Sequence, residues 1–244
     1  MYIETLKLTN ENVTLTVYLP DISDEMPNMH TKPGMLVIPG GGYHMCSDRE
    51  AEPVAFEYIA KGYNAFILRY SLNENAEFPK PLNDAQEALK LIRKNADKWY
   101  TDPDKIACIG FSAGGHLAAA LSTMSDEKPN ACILGYPCTL EKISAILAKP
   151  IPGLVDKITP ETPPTFIFAA SNDTIVPIEN SLKYALALSE NNVPFELHSF
   201  ETGGHGFSTS NKVVLRDEQA RRDMKYIHYW VDRSIDWLED LWKK

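Results

Sequence analysis

Short runs of continuous apolar residues alternate along this chain with longer segments of helical periodicity. The apolar runs have the uninterrupted hydrophobicity of strands covered on both faces, and they occupy residues 35–38, 65–68, 106–109, 131–134 and 165–168. Helical stretches separate them, over about 47–61, 81–99, 112–124 and 178–191. This alternation predicts an α/β fold in which helices cover a mostly parallel central sheet.

Three further segments complete the predicted fold. Residues 13–19 alternate between apolar and polar with period two, which predicts an edge strand near the start of the chain. Residues 195–200 predict the final strand, and residues 217–242 predict a last helix with its apolar stripe on the core. Residues 20–33 form a polar loop to which the sequence assigns no structure.

Size and composition indicate one α/β domain over residues 1–244. Of the 244 residues, 44% are hydrophobic and 23% are charged, which is ordinary for a globular chain with a sizeable core. The formal charge of −9 argues against nucleic acid and anionic membranes as partners, because both select basic patches. We expect a cytoplasmic protein, since the first residues do not resemble a signal peptide and no apolar run is long enough to span a bilayer.

Cysteine usage predicts neither a metal site nor a disulfide framework. The four cysteines have no metal-type spacing, and Cys108 and Cys132 fall within predicted strands as buried thiols. We therefore predict no metal and no cofactor. The sequence leaves open whether the protein forms a homo-oligomer.

The pentapeptide Gly-Phe-Ser-Ala-Gly at residues 110–114 lies where the strand 106–109 meets an alanine-rich helix. A Gly-x-Ser-x-Gly sequence in this setting is typical of the nucleophile elbow, which lifts a serine hydroxyl to the N-terminus of the next helix. The glycines allow strand and helix to approach closely. Ser112 is therefore the candidate nucleophile.

A serine hydroxyl becomes a strong nucleophile only when an oriented base removes its proton. Asp173 follows the strand 165–168, and His205 follows the final strand. Both lie where open α/β sheets place ligand-contacting groups, and the order serine, acid, histidine suits the elbow. We predict a catalytic triad of Ser112, Asp173 and His205. The alternative for Asp173 is an Asx turn, which Asn-Asp sequences often form.

Five other histidines compete with His205 for the role of base: His30, His44, His116, His198 and His228. Three of them fall within predicted helices or a strand, and one lies in the unassigned loop. His44 follows glycines, where it could touch substrate or make an ordinary polar contact. Only His205 combines a loop, a strand end and the required order along the chain.

Three glycines at residues 40–42 directly follow the first buried strand. Their backbone N–H groups can approach a substrate closely, and together with the N–H of Ala113 they can stabilise an oxyanion. A flexible turn is the structural alternative. A phosphate-binding loop is the other alternative, but the lysine and the Ser/Thr of a P-loop are missing.

The assembled motifs resemble those of α/β-hydrolases of the carboxylesterase group, which includes hormone-sensitive-lipase-like and bacterial acetylxylan-esterase-like proteins. The resemblance covers nearly the whole chain and rests on residues 39–43, 110–115, 162–177 and 203–207. It implies that Gly41, Gly42 and Ala113 donate to the oxyanion. The larger lipase-like members carry histidine where this chain has Pro39, which favours the acetylxylan-esterase-like branch.

A short segment at 138–164 is predicted to form a cap, and its prolines disfavour the helices that a long acyl tunnel would need. Tyr43, Tyr136 and Phe207 could form an aromatic rim suited to sugar rings, or could be ordinary packing. We therefore expect a serine carboxylesterase that removes short acyl groups, acetyl above all, from a small molecule or oligosaccharide.

Other functions remain open at this stage. A prolyl-oligopeptidase-type peptidase shares the motifs, although we expect no room for the large extra domain of such enzymes. An arylformamidase or a related amide hydrolase would use similar loops. A catalytically inactive binding module is disfavoured because every predicted triad and oxyanion residue is present.

Overall fold

The computed structural model describes residues 1–215 and 226–243. Within them a single sheet has the strand order β1-β2-β4-β3-β5-β6-β7-β8. Its strands are β1 (Tyr2–Lys7), β2 (Thr14–Leu19), β3 (Lys32–Ile38), β4 (Asn64–Arg69), β5 (Thr101–Phe111), β6 (Ala131–Gly135), β7 (Thr165–Ala170) and β8 (Phe195–Phe200). The helices are α1 (Glu52–Ile59), α2 (Lys80–Lys94), α3 (Ser112–Thr123), α4 (Glu179–Glu190) and α5 (Tyr229–Leu241).

The sheet is antiparallel only at its first edge. β1 pairs with β2 and β2 with β4 in antiparallel fashion, whereas every pair from β4 to β8 is parallel. Strands β3, β4, β6 and β7 and the second half of β5 are almost wholly buried because helices cover both faces of the sheet. Apolar side chains of α2, α3 and α4 pack on one face, and those of α1 and α5 pack on the other. The predicted α/β-hydrolase architecture is confirmed.

Several predicted boundaries need correction. The strand predicted at 13–19 is not at the edge, because β1 pairs with its outer side. The helix predicted at 47–61 begins only at Glu52, since Asp48–Glu50 forms a separate single turn. The helix predicted at 81–99 ends at Lys94, and β5 begins well before its apolar core. The first part of the helix predicted at 217–242 lies outside the described residues.

In the connection between β6 and β7, residues 138–164 contain two short 3-10 turns and no α-helix, as their prolines predict. Its apolar side chains enter the core, and the side chain of Asn180 on α4 accepts hydrogen bonds from the N–H groups of Thr139 and Leu140. The N–H of Ala148 donates to the carbonyl of Gly42 at 2.9 Å. The connection therefore rests on the glycine loop at the carboxyl edge of the sheet.

Three further observations concern the cysteines, the helices and the metal-binding side chains. All four cysteines are buried and free, and the sulfurs of Cys108 and Cys132 lie 3.6 Å apart on neighbouring strands. Residues 1–215 and 226–243 contain no helix with the length and hydropathy that a membrane crossing requires. The same residues contain no group of three or more His, Cys, Asp or Glu side chains arranged to hold a metal ion.

Candidate active site

Ser112 lies on a strained turn between β5 and α3. Its φ is +52°, a left-handed conformation that few residues other than glycine adopt. A Cβ on Gly110 would overlap the carbonyl oxygen of Gly114, and a Cβ on Gly114 would overlap the carbonyl oxygens at the end of β3. Glycine is therefore required on both sides of the serine, because strand and helix approach more closely than a side chain permits.

Three predicted side chains meet at the carboxyl edge of the sheet. The Ser112 hydroxyl lies 2.9 Å from Nε2 of His205, and Nδ1 of His205 lies 2.7 Å from Oδ2 of Asp173. The carboxylate of Asp173 accepts from Nδ1–H, so Nε2 of the neutral imidazole is the acceptor for the serine proton. The side chain of Asp173 is fully buried, whereas that of His205 is 16% exposed. Serine, imidazole and carboxylate thus form one continuous hydrogen-bonded chain.

The second oxygen of Asp173 fixes the carboxylate in place. Oδ1 accepts from the backbone N–H groups of Ile175 and Val176, each at 2.9 Å. This is the Asx turn that the sequence offered as an alternative to a catalytic role. The two roles coexist, because the turn uses Oδ1 and leaves Oδ2 facing His205.

The glycine loop lies beside Ser112 in a conformation that requires glycine. Gly41 and Gly42 have φ values of +129° and +66°, and a Cβ on Gly41 would overlap the carbonyl of Met45. Within the part of the chain that the structure describes, the N–H groups of Gly41 and Gly42 donate to no protein acceptor. The N–H of Ala113 lies in the first turn of α3, where no intrahelical acceptor exists. These groups are available to bind an anion.

The predicted aromatic rim is wrong. Tyr43, Tyr136 and Phe207 are each 1% exposed, and none of them lines the cavity beside Ser112. The hydroxyl of Tyr43 bonds Nδ1 of His116, while the ring of Tyr136 packs against the rings of Phe207 and His205. These aromatic side chains support the loops of the site from behind.

The cavity beside Ser112 has a volume of about 320 Å³. Its apolar wall comes from four side chains that the sequence analysis did not identify: Met45, Ile146, Leu147 and Ile175. Three of these are about half exposed, so the cavity is an open cleft rather than a tunnel. Its polar wall includes Ser47, Arg49 and Glu50. No periodicity marks the apolar set, because its members come from three separate loops, whereas the polar set comes from the single segment 47–50.

Glu50 is the most buried charged group of this wall. Burial raises the pKa of its carboxyl, although hydrogen bonds from Tyr136 and Gly40 act in the opposite direction. Cys138 also lies close by, with its sulfur 3.9 Å from the Ser112 hydroxyl. Burial raises the pKa of the Cys138 thiol to about 12, so the thiol stays protonated and does not compete with Ser112 as nucleophile.

The other histidines of the described chain do not line the cavity. His116 is fully buried behind the glycine loop, and burial lowers its pKa to about 4. His198 contacts Glu196, and His228 contacts the carbonyl of Thr209. His30 lies beside Asp24, and His44 is exposed. The selection of His205 from sequence therefore agrees with the geometry.

Two family models match the chain. The BD-FAE model matches residues 15–147, more than half of the chain, and includes the glycine loop and the serine elbow. The Prolyl oligopeptidase family model matches residues 149–234, which contain Asp173 and His205.

Two curated relatives are longer than this chain. Endo-1,4-beta-xylanase B of Butyrivibrio fibrisolvens is 35% identical over 72% of this chain and 33% of its own length. Acetylxylan esterase of Xylanibacter ruminicola is 28% identical over 87% of this chain and 50% of its own length. The chain thus spans between a third and a half of these relatives.

Solved structures match over the full length. The α/β-hydrolase enzyme MGS-M1, from a Medee basin deep-sea metagenome library, is 43% identical with a TM-score of 0.90 and covers 100% of this chain and 99% of its own. An acetyl ester-xyloside bifunctional hydrolase of Caldicellulosiruptor lactoaceticus is 30% identical with a TM-score of 0.83, over 98% of this chain and 96% of its own.

Proposed function

Because the chain belongs to the BD-FAE family and has the α/β-hydrolase fold, we propose that it is a serine carboxylesterase acting on short acyl esters of carbohydrates. The observation that carries this proposal is the hydrogen-bonded chain from Asp173 through His205 to Ser112 beside an open cleft. We propose acetyl as the acyl group and the Oγ atom of Ser112 as the nucleophile to which it is transferred.

The proposed reaction has two steps. His205 removes the Ser112 proton as the hydroxyl attacks the ester carbonyl, and then donates that proton to the departing sugar hydroxyl. Water, activated by the same imidazole, hydrolyses the acyl-enzyme. Asp173 holds the imidazole in the tautomer that accepts at Nε2 and stabilises its charged form.

The negative charge on the carbonyl oxygen needs fixed donors. We assign this role to the N–H groups of Gly41, Gly42 and Ala113, which have no protein acceptor among the described residues. Donors of this kind contribute about 3–4 kcal/mol each to transition-state stabilisation in other serine hydrolases. Gly41 and Gly42 already have the positive φ values that this form of the loop requires.

The substrate class is supported by the cleft and by the relatives. Exposed Met45, Ile146 and Ile175 give an acyl chain only a short apolar contact, so added methylenes gain much less than the ~0.8 kcal/mol of full burial. The names of the acetylxylan esterase and the acetyl ester-xyloside hydrolase refer to acetyl groups and xylose-based carbohydrate. Both favour acetylated oligosaccharides as substrates of this chain.

Substrate profiling tests the proposal. The kcat/KM of the purified protein should be highest for acetyl or propionyl aryl esters and should fall by octanoyl, and acetate should be released from acetylated xylo-oligosaccharides. Preference for octanoyl or longer chains, or no acetate release from any acetylated oligosaccharide, would contradict it.

Amide hydrolysis is the second candidate, favoured by the match of residues 149–234 to the Prolyl oligopeptidase family. An aryl formamide and a proline-containing peptide anilide belong in the same assay. A kcat/KM on either amide above that on the acetyl ester would replace esterase with amidase as the function.

A further inference from the structure

Glu50 is a buried carboxylate with two donors. It ends the single turn Asp48–Glu50, and the residue is 3% exposed. Oε1 accepts from the hydroxyl of Tyr136 at 2.6 Å, and Oε2 accepts from the backbone N–H of Gly40 at 2.8 Å. Both oxygens are therefore engaged as acceptors.

The hydrogen bonds around Glu50 favour its charged form, although burial raises the pKa of its carboxyl. The N–H of Gly40 can only donate, and the oxygen of Tyr136 already accepts from the N–H of Ser208 at 3.0 Å. Among the described residues, Oε1 of Glu50 is the acceptor recorded for the phenolic proton of Tyr136, so the phenol donates to it. With a donor on each oxygen, the carboxyl group needs no proton of its own, so this geometry fits the anion.

The same contacts join the two halves of the site. Gly40 opens the glycine loop that supplies the oxyanion donors, and Ser208 lies three residues after His205. Two more bonds reinforce this second link, because the Arg49 carbonyl accepts from the Ser208 hydroxyl and Arg49 Nη1 donates to the Gly206 carbonyl at 3.2 Å. Residues 49 and 50 thus hold the oxyanion loop and the histidine loop together.

Glu50 and His205 line the same cavity, and Tyr136 contacts both, so the charge of Glu50 lies close enough to act on the imidazole. The titratable and charged groups that face Glu50 come from separate segments: Cys46, Arg49, Tyr70, Tyr136 and His205. The groups that face His205 are Asp173, Ser112, Tyr136 and Glu50, and the cation Arg49 lines the same cavity and donates to the Gly206 carbonyl beside it. Cys46, Tyr70 and Tyr136 are neutral because burial raises the pKa of each. Burial raises the pKa of Glu50 as well, but the donors Tyr136 and Gly40 on its two oxygens oppose that shift and favour the anion, which makes Glu50 the second negative charge near the imidazole after Asp173.

We propose that Glu50 is a positioning residue of this esterase, which fixes the oxyanion loop against the His205 loop and stabilises the imidazolium as a second negative charge. The inference rests on the proposed function for its catalytic consequence. Its electrostatic part concerns only the state of His205 and does not require turnover.

Glu50→Gln tests both parts at once. The amide removes the charge, and it cannot accept at both positions, so the bond to Tyr136 or to Gly40 is lost. We expect kcat to fall about 10- to 100-fold because the donors shift, with a smaller change in KM. We also expect the acid limb of the pH profile of kcat/KM to move about half a pH unit or more to lower pH, because the imidazolium form of His205 loses a stabilising anion.

Glu50→Asp separates position from charge. It keeps the anion on a side chain one methylene shorter, so kcat should fall while the acid limb stays near that of the wild type. This variant also keeps the proposal testable if the glutamine variant does not fold. Wild-type kcat in Glu50→Asp would contradict the positioning role.

Glu52→Gln is the matched control, because Glu52 also accepts from a tyrosine hydroxyl, that of Tyr18 at 3.1 Å, but lies outside the cavity. It should leave kcat and the pH profile unchanged. A folded Glu50→Gln with an unmoved acid limb would overturn the electrostatic role, whatever its rate.

NMR titration of the His205 imidazole in Ser112→Ala, with and without Glu50→Gln, is the closing experiment because it is independent of activity. The proposal predicts a lower pKa of His205 in the double variant. Equal pKa values in the two proteins would overturn it. If the wild type hydrolyses no ester but the His205 pKa falls as predicted, the proposed function fails while the electrostatic inference stands.

Discussion

The hydroxyl of Tyr43 lies 2.8 Å from Nδ1 of His116, and this contact joins the glycine loop to the helix that begins at Ser112. Nε2 of the same imidazole lies 3.1 Å from the carbonyl oxygen of Pro152, in the connection between β6 and β7. The carbonyl can only accept, so Nε2 carries the proton and Nδ1 accepts from Tyr43. One neutral histidine therefore holds three segments around the site.

Tyr43→Phe should destabilise the protein by about 1–3 kcal/mol, because Nδ1 of His116 becomes a buried acceptor without a donor. We also expect kcat for an acetyl ester to fall about tenfold as the glycine loop loosens. Denaturant unfolding and steady-state kinetics measure the two effects. Tyr63→Phe is the control, because the buried Tyr63 hydroxyl has no partner among the described residues. Equal stability of the two variants would contradict the role of Tyr43.

The His116 imidazole should make stability depend on pH. Burial lowers its pKa from 6.5 to about 4, so the unfolded chain takes up this proton first as the pH falls. The neutral His116 imidazole therefore makes its full contribution to the free energy of unfolding above about pH 6.5. About 3 kcal/mol of this contribution is lost as the pH falls towards 4. In denaturant unfolding, the stability advantage of wild type over His116→Gln should shrink between about pH 7 and pH 4.5. A constant advantage would show that the imidazole is not held neutral.

Gly41→Ala should impair catalysis through the oxyanion loop. Its Cβ would overlap the Met45 carbonyl at a φ of +129°, so the loop must move away from Ser112. Loss of one oxyanion donor lowers kcat about 10²- to 10³-fold in other serine hydrolases, and we expect a similar loss here. Gly153→Ala is the control, since the nearest atom to its Cβ would lie 3.6 Å away. If Gly41→Ala keeps wild-type kcat, these N–H groups are not the donors.

The sheet, the elbow and the triad could be predicted from sequence because each has a local signature. Buried parallel strands are continuous apolar runs, the elbow needs glycines at fixed spacing, and the acid and base follow strand ends. Ser112, Asp173 and His205 lie at the end of three such segments, and parallel strands bring those ends to one edge. The topology alone therefore places them near one another.

The support of the site could not be predicted, because it depends on side chains that meet only in the fold. Glu50 falls in a segment whose pattern indicates helix, and only the separate turn at Asp48–Glu50 directs it inward. Tyr43 and Phe207 lie beside site residues in sequence, and Tyr136 follows a buried strand, but sequence cannot tell a rim from the packing behind it. β1 was missed because it is an exposed edge strand, without the apolar run of a buried strand.

Asp173→Asn should lower kcat about 10⁴-fold, because the amide disfavours the productive tautomer of His205 and no longer stabilises the imidazolium. The two N–H donors from residues 175 and 176 can still bond the side-chain oxygen, so the fold should be retained. Glu201→Gln, an exposed carboxylate on the loop before His205, is the matched control. A large loss of kcat in Glu201→Gln together with normal turnover in Asp173→Asn would show that Glu201, and not Asp173, is the acid of the triad.

The rate of acetate release from an acetylated xylo-oligosaccharide, compared between wild type and Ser112→Ala, shows whether Ser112 is the nucleophile of a carbohydrate esterase. Alanine removes only the hydroxyl that bonds Nε2 of His205, so the circular dichroism spectrum should not change. We expect the wild type to release acetate and the variant to lose on the order of 10⁶ in rate. A folded Ser112→Ala that keeps a tenth of the wild-type rate would contradict it.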